Sequence, residues 1–171
     1  MMLLRRELPS DVDAIRAVHT DAFADGDATP AEPGLVEALR ADEGWIPELS
    51  IVAVDDSAAV VGHVVATRGY VGDRPALGLG PIGVLRAVQR SGIGTGLMHA
   101  VLAAADARGE PLVALLGHVD YYPRFGFRPA QQDGIAPPDP SWAEHFQTRP
   151  LTTHTPDLTG TFRYAAPFDE L

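Results

Sequence analysis

Val84-Leu85-Arg86-Ala87-Val88-Gln89-Arg90-Ser91-Gly92-Ile93-Gly94-Thr95-Gly96-Leu97-Met98 runs from the end of an apolar stretch, through a glycine-dense turn, into an amphipathic segment. Glycines at 92, 94 and 96 remove Cβ atoms, so successive backbone N–H groups can converge on one ligand. A helix starting at this turn adds the unpaired donors of its first turn and their partial positive charge. The pattern reads as an anion cradle suited to a phosphate or pyrophosphate.

Downstream of the turn, Ile93, Leu97, Val101 and Ala105 repeat on one stripe with Met98 and Leu102 beside it, which predicts a helix from about Gly92 to Arg108. Gly109 and Pro111 end it. Leu112 to Leu116 follows as a short buried strand, so Ala76 to Leu116 forms a βαβ element, for which a right-handed crossover is expected. The strand before the turn, Ala76 to Leu85, carries Gly78, Gly80, Pro81 and Gly83. Proline donates no ladder hydrogen bond and strand glycines mark bulges, so a local break in pairing is expected, with backbone groups freed for a ligand.

Toward the N-terminus, Leu3 to Glu7 reads as a first strand, and Pro9-Ser10-Asp11 opens a helix with Ser10 as its N-cap. Ile15, Val18, Ala22 and Phe23 give that helix one buried face, and Asp25-Gly26-Asp27 breaks it. A second helix over Gly34 to Ala41 turns Leu35, Val36 and Leu39 inward. Ser50 to Val54 and Val60 to Thr67 read as a hairpin around Asp55-Asp56-Ser57. In the other direction, Pro137-Pro138-Asp139-Pro140 marks a loop or boundary, and Thr161-Phe162-Arg163-Tyr164 reads as a closing strand.

Several ligand classes are excluded at the turn itself. The chain contains no lysine, so a Walker-type phosphate loop is ruled out. A dinucleotide fingerprint needs a glycine where Leu97 stands and an acid closing the next strand, where Leu116, Gly117 and His118 stand. The 171 residues suit one domain, and the absence of cysteine excludes disulfides and thiolate chemistry. Met1-Met2-Leu3-Leu4 is cut short by Arg5-Arg6-Glu7, too soon for a signal peptide or a membrane span, so a cytoplasmic protein is expected. A net charge of -10 argues against nucleic acid and anionic lipid and favours the approach of an amine. His19, His63, His99, His145 and His154 show no metal-ligand spacing, and no metal site is expected.

What the turn does match is Gln89-x-x-Gly92-x-Gly94, which resembles the acetyl-coenzyme A signature of the GNAT superfamily of N-acetyltransferases. A second element, Leu116-Gly117-His118-Val119-Asp120-Tyr121-Tyr122-Pro123-Arg124-Phe125-Gly126-Phe127, resembles the aromatic-Tyr-x-x-x-Gly-Phe element of that superfamily and the form it takes in a YhbS-like bacterial subgroup. Detailed resemblance covers about residues 76–129, with residues 130–171 as a C-terminal segment. It implies one α/β (α+β) domain over residues 1–171, with a mixed, twisted central sheet flanked by helices and a splayed strand pair at the cofactor site.

The resemblance also implies a reaction. An amine attacks the thioester of acetyl-CoA directly, and the expelled thiolate takes a proton from an acid. Tyr122 matches the family's acid, and Tyr121 the aromatic before it. Ile82 and Val84 would pair with the pantetheine arm through main-chain groups, and Gln89, Arg90, Gly92, Ile93, Gly94 and Thr95 would surround the pyrophosphate. The family commonly has proline at Arg86, leaving this arginine either to solvent or to the phosphates. Ala76 to Leu85 holds no acidic residue to act as base, so His118 and Asp120 are candidates by position. The acceptor is a primary amine on a small molecule or a protein. A sensor that binds an acyl-CoA without turnover stays an alternative, and a homodimer stays open.

Overall fold

The computed structural model describes residues 1–171. Its strands are β1 (Leu3–Arg6), β2 (Ser50–Val54), β3 (Val60–Val71), β4 (Arg74–Val84), β5 (Leu112–Leu116), β6 (Arg128–Pro129), β7 (Ile135–Ala136), β8 (Phe146–Pro150) and β9 (Gly160–Arg163). The helices are α1 (Val12–Ala22), α2 (Glu32–Ala41) and α3 (Ile93–Ala107). One sheet joins the strands in the order β1-β2-β3-β4-β5-β8-β6, with β9 on the far end of β3 and β7 on β9. It is mixed, because β4 runs parallel to β5, and β7 to β9, while the other pairs are antiparallel.

Strand alternation sets the layers. On β2, Ile51 and Ala53 pack in one cluster with Leu97, Met98 and Val101 of α3, whereas Val52 and Val54 pack in another with Ile15 of α1 and Val36 of α2. Successive side chains of a strand leave by opposite faces, so α3 covers one face and the α1–α2 pair the other. Helix α3 ends in a Schellman arrangement: Gly109, at φ 78°, donates to the Asp106 carbonyl and Glu110 to that of Ala105.

A chain of polar groups lies beneath α1. His19 Nε2 is 2.8 Å from His63 Nδ1, and His63 Nε2 is 2.8 Å from Ser50 Oγ. Ser50 donates in turn to the Glu7 carboxylate, which also accepts from Arg40 Nε at 2.7 Å. The acceptor-only carboxylate fixes every proton in the chain to point toward Glu7, with both histidines neutral and His19 Nδ1 left without a partner. His19 fits because the position opposite is glycine; a Cβ on Gly83 would lie 2.9 Å from His19 Nδ1.

Three features differ from the sequence expectation. Ser10 is not the cap of α1: a 3-10 turn over Pro9–Asp11 precedes it, and the Asp11 carboxylate accepts from the Leu8 N–H and from Arg5. β3 continues to Val71, past Thr67, because β9 and the first residues of β4 pair with its end. The C-terminal segment contributes β8, which pairs with β5 through five residue pairs from Leu112↔Pro150 to Leu116↔Phe146. Phe146, Phe162 and Tyr164 then form a core cluster against Leu112 and Ala114. Arg86 is exposed to solvent and does not line the cradle. Its backbone N–H donates to Asp21 at 2.7 Å and its guanidinium to the Ala24 carbonyl, tying the turn to the end of α1.

Candidate active site

The site begins where two parallel strands stop pairing. β4 and β5 are partners only at Leu77↔Val113 and Gly78↔Ala114. Beyond that point β4 is bulged, since Ala66↔Leu79 and Val64↔Ile82 leave one extra residue on β4 around Gly80 and Pro81. Leu85 donates to the Val61 carbonyl, so the antiparallel alternation turns the main-chain groups of Val84 and Ile82 away from β3 and into the gap. Gln89 Nε2 already reaches the Val84 carbonyl at 3.0 Å.

The glycine-dense turn closes one end of this gap. Arg90 and Gly92 both adopt the left-handed region, at φ 61° and 90°. That pairing of turns aims the backbone of residues 90–95 at a common point. The first helical hydrogen bond runs from Gly96 N–H to the Gly92 carbonyl, leaving the N–H groups of Ile93, Gly94 and Thr95 without intrahelical partners. A cavity of about 550 Å³ lies over them. Ile82, Val84, Gln89, Arg90, Gly92, Ile93, Gly94 and Thr95 all line it.

Tyr121 and Arg124 line the same cavity, and the sequence reading gave them no part in it. The Tyr121 hydroxyl stands 3.6 Å from where a Cβ on Gly94 would sit, and the Arg124 guanidinium lies 4.5 Å from the Tyr121 ring centre. The signal for Arg124 was present in sequence as the one cation inside the Tyr-Tyr-x-x-Phe-Gly-Phe element.

A second cavity, about 410 Å³, adjoins the first at Ile82. Its walls are mostly hydrocarbon and aromatic, and Tyr122 lines it. The two tyrosines meet edge to face at 5.0 Å, so neighbouring residues serve different cavities. Tyr122 also packs edge to face on Phe127 at 6.1 Å. Burial pushes the Tyr122 hydroxyl up from its ordinary value, and Tyr121 adds to the effect. A phenol so placed keeps its proton at neutral pH and can give it to a stronger base formed beside it.

His118 and Asp120 are exposed and line neither cavity. The His118 main chain works instead as a local support, its carbonyl accepting from the backbone of Tyr121 at 3.2 Å and of Tyr122 at 3.3 Å. The acidic residue that does line the second cavity is Glu32, at the start of α2. Sequence spacing carried no hint of it, because residue 32 is remote from both motifs.

Comparison with known proteins agrees with this geometry. A model of the acetyltransferase (GNAT) family matches residues 13–127. The chain is 36% identical over 166 residues to an uncharacterized N-acetyltransferase, YjhQ, of Escherichia coli (strain K12), covering 92% of this chain and 89% of that one. The crystal structure of the GNAT family N-acetyltransferase YhbS from Escherichia coli, in complex with CoA, superposes with a TM-score of 0.89 at 28% identity, over 98% of this chain and 92% of that one. A GNAT family acetyltransferase from Brucella melitensis, in complex with acetyl-CoA, gives a TM-score of 0.80 at 34% identity, over 99% of both chains. The splayed mixed sheet, the glycine turn and these likenesses together identify the chain as an acyltransferase belonging to the acetyltransferase (GNAT) family.

Proposed function

We propose that residues 1–171 act as one domain that transfers the acetyl group of acetyl-CoA to a primary amine by direct attack, with Tyr122 as general acid. The observation that carries this reading is the adjacency of the two cavities: the anion cradle lies on one side of Ile82 and Tyr122 on the other. The unpaired donors of residues 93–95 would hold the diphosphate, with Arg124 beside them, and the main-chain groups of Ile82 and Val84 turned away from β3 would pair with the pantetheine arm, the arm displacing Gln89 Nε2 from the Val84 carbonyl. The thioester would then emerge at the second cavity. For the single domain, support comes from β8 and β9, which take places beside β5 and β3 in the same sheet.

The neutral amine forms its N–C bond at the thioester carbonyl, and the tetrahedral intermediate collapses with cleavage of the C–S bond. Of the three ammonium protons, one stays on the amide nitrogen and one is lost to solvent before attack. The third replaces the proton that Tyr122 gives to the departing sulfur. Acetyl-CoA and the ammonium thus become the acetamide, CoA thiol and one free proton.

Thiol release over a panel of amines tests the reaction. Tyr122→Phe is expected to lower kcat by roughly 10²-fold or more with acetyl-CoA affinity preserved, as removal of a general acid does. Full turnover in that variant would remove Tyr122 from the role. Acetyl-CoA binding without thiol release from any amine would instead favour an acyl-CoA sensor.

A further inference from the structure

We infer that the acceptor is a small primary amine carried on an apolar body, recognised through an ion pair with Glu32. The inference rests on the acetyl-transfer reading above and names the substrate class of that site. The second cavity is walled by Phe23, Leu35, Pro81, Leu116, Trp142 and Phe168, among others, and encloses about 410 Å³. That volume suits a compact organic molecule, near the lower end of the range for small-ligand pockets.

Within this lining Glu32 is the only acidic or basic side chain. It is half-buried, and it makes no ion pair or side-chain hydrogen bond with the rest of the chain, whereas Glu7, Glu37, Glu48 and Glu110 all have arginine partners. A carboxylate beside hydrocarbon walls, with no partner in the chain, is open to a charge-assisted hydrogen bond from a bound cation. The ligand that satisfies both the walls and the carboxylate is therefore an ammonium attached to hydrocarbon.

Position matches the chemistry. Tyr122 lines the same cavity, so an amine drawn to Glu32 shares a chamber with the acid that protonates the leaving thiolate. The apolar walls also disfavour a polyamine, whose further charges would meet Leu35 and Phe168, and a peptide, whose amides would lie against hydrocarbon. The net charge of -10 speeds the approach of any cation but does not choose among them.

Two measurements test the assignment. Thiol release at saturating acetyl-CoA compares 2-phenylethylamine and hexylamine with spermidine and a short peptide bearing a free N-terminus. The apolar amines are expected to give kcat/KM about tenfold or more above the other two, and Glu32→Gln to raise their KM about tenfold without changing that of acetyl-CoA, with partial recovery in Glu32→Asp. Calorimetry with 2-phenylethylamine on the CoA-loaded protein reads the same contact without turnover, and its affinity should fall in Glu32→Gln.

A preference for spermidine or for the peptide overturns the substrate class. Unchanged amine KM and unchanged amine affinity in Glu32→Gln overturn the role of Glu32. Amine binding that depends on Glu32 without any thiol release supports the recognition and overturns the acetyl-transfer reading, so the two failures are told apart.

Discussion

Gly117 lies so close under the ring of Tyr122 that a Cβ built on it would meet Tyr122 Cε2 at 2.3 Å and Cδ2 at 2.9 Å. The glycine has no positive φ, so its requirement comes from this contact and not from backbone conformation. Gly117→Ala must move the phenol, and a displacement of about an ångström is enough to cost roughly 10²-fold in rate. The expected outcome is a large loss of kcat with little change in acetyl-CoA affinity, and an overpacking cost of about 1–3 kcal/mol in stability, read by thiol release, calorimetry and urea midpoints.

At the cradle, a side chain on Gly94 would enter the cavity toward Tyr121 and Val84, whose atoms lie 3.6 and 3.9 Å from its Cβ position. Gly94→Val is therefore expected to weaken acetyl-CoA binding strongly while the protein still folds, because those contacts are ordinary in length. Gly92→Ala acts differently. Its φ of 90° strains any residue with a Cβ, at a cost of about 1–2 kcal/mol, so that variant should lose stability in urea as well as affinity.

The buried chain beneath α1 predicts a pH dependence of stability. Burial holds His19 down at about 3, with the charge of Arg40 acting in the same direction, and burial also depresses His63. The unfolded chain binds a proton on each histidine below the ordinary value near 6.5, while the folded chain does not. Stability is thus fully present above that pH and falls as pH drops from 6.5 toward 3, by at most about 1.4 kcal/mol per pH unit for each histidine.

Glu7 adds to the same trend at lower pH. Burial opposes its charge, but the His63 N–H 3.5 Å away and hydrogen bonds from Arg40 and Ser50 outweigh it and hold the carboxyl at about 2 against an ordinary 4.5. Its contribution is present above 4.5 and is lost as pH falls from there to about 2. Urea midpoints should hold from pH 7.5 to about 6.5 and decline from there to 4, and His19→Leu should flatten the decline between 6.5 and 5. A midpoint independent of pH across that interval would contradict neutral buried histidines.

Gly78 makes room for the aromatic cluster of the C-terminal segment. A Cβ there would lie 2.6 Å from Tyr164 Cδ1, in a strand pair where β4 cannot shift without losing β5. Gly78→Ala is expected to destabilise by about 1–3 kcal/mol, the usual cost of overpacking, as read from the urea midpoint.

The anion cradle and the bulge of β4 were legible because both rest on local rules: missing Cβ atoms, a proline without a donor and a helix start. Ser50–Val54 and Leu112–Leu116 were read with their observed bounds, and α3 within a residue at each end, since hydrophobic runs and end signals coincided there. β8 was hidden, because Phe146-Gln147-Thr148-Arg149-Pro150 shows little alternation and gains its strand from pairing with β5. Gly78 reads as a strand weakness, although it is a space filled by Tyr164 from far along the chain. The partnership of His19 with His63, and the presence of Glu32 opposite Tyr122, depend on how α1 and α2 lie over the sheet, which no spacing in the sequence records.

Acetyl transfer at this site requires the backbone of residues 90–95 to grip the diphosphate of acetyl-CoA. Calorimetric titration of the protein with acetyl-CoA, beside the same titration of Gly94→Val, tests this most directly. Saturable binding of one molecule per chain, lost or greatly weakened in the variant, is the predicted result. Absence of binding to the unaltered protein, or binding that the valine leaves intact, would contradict it.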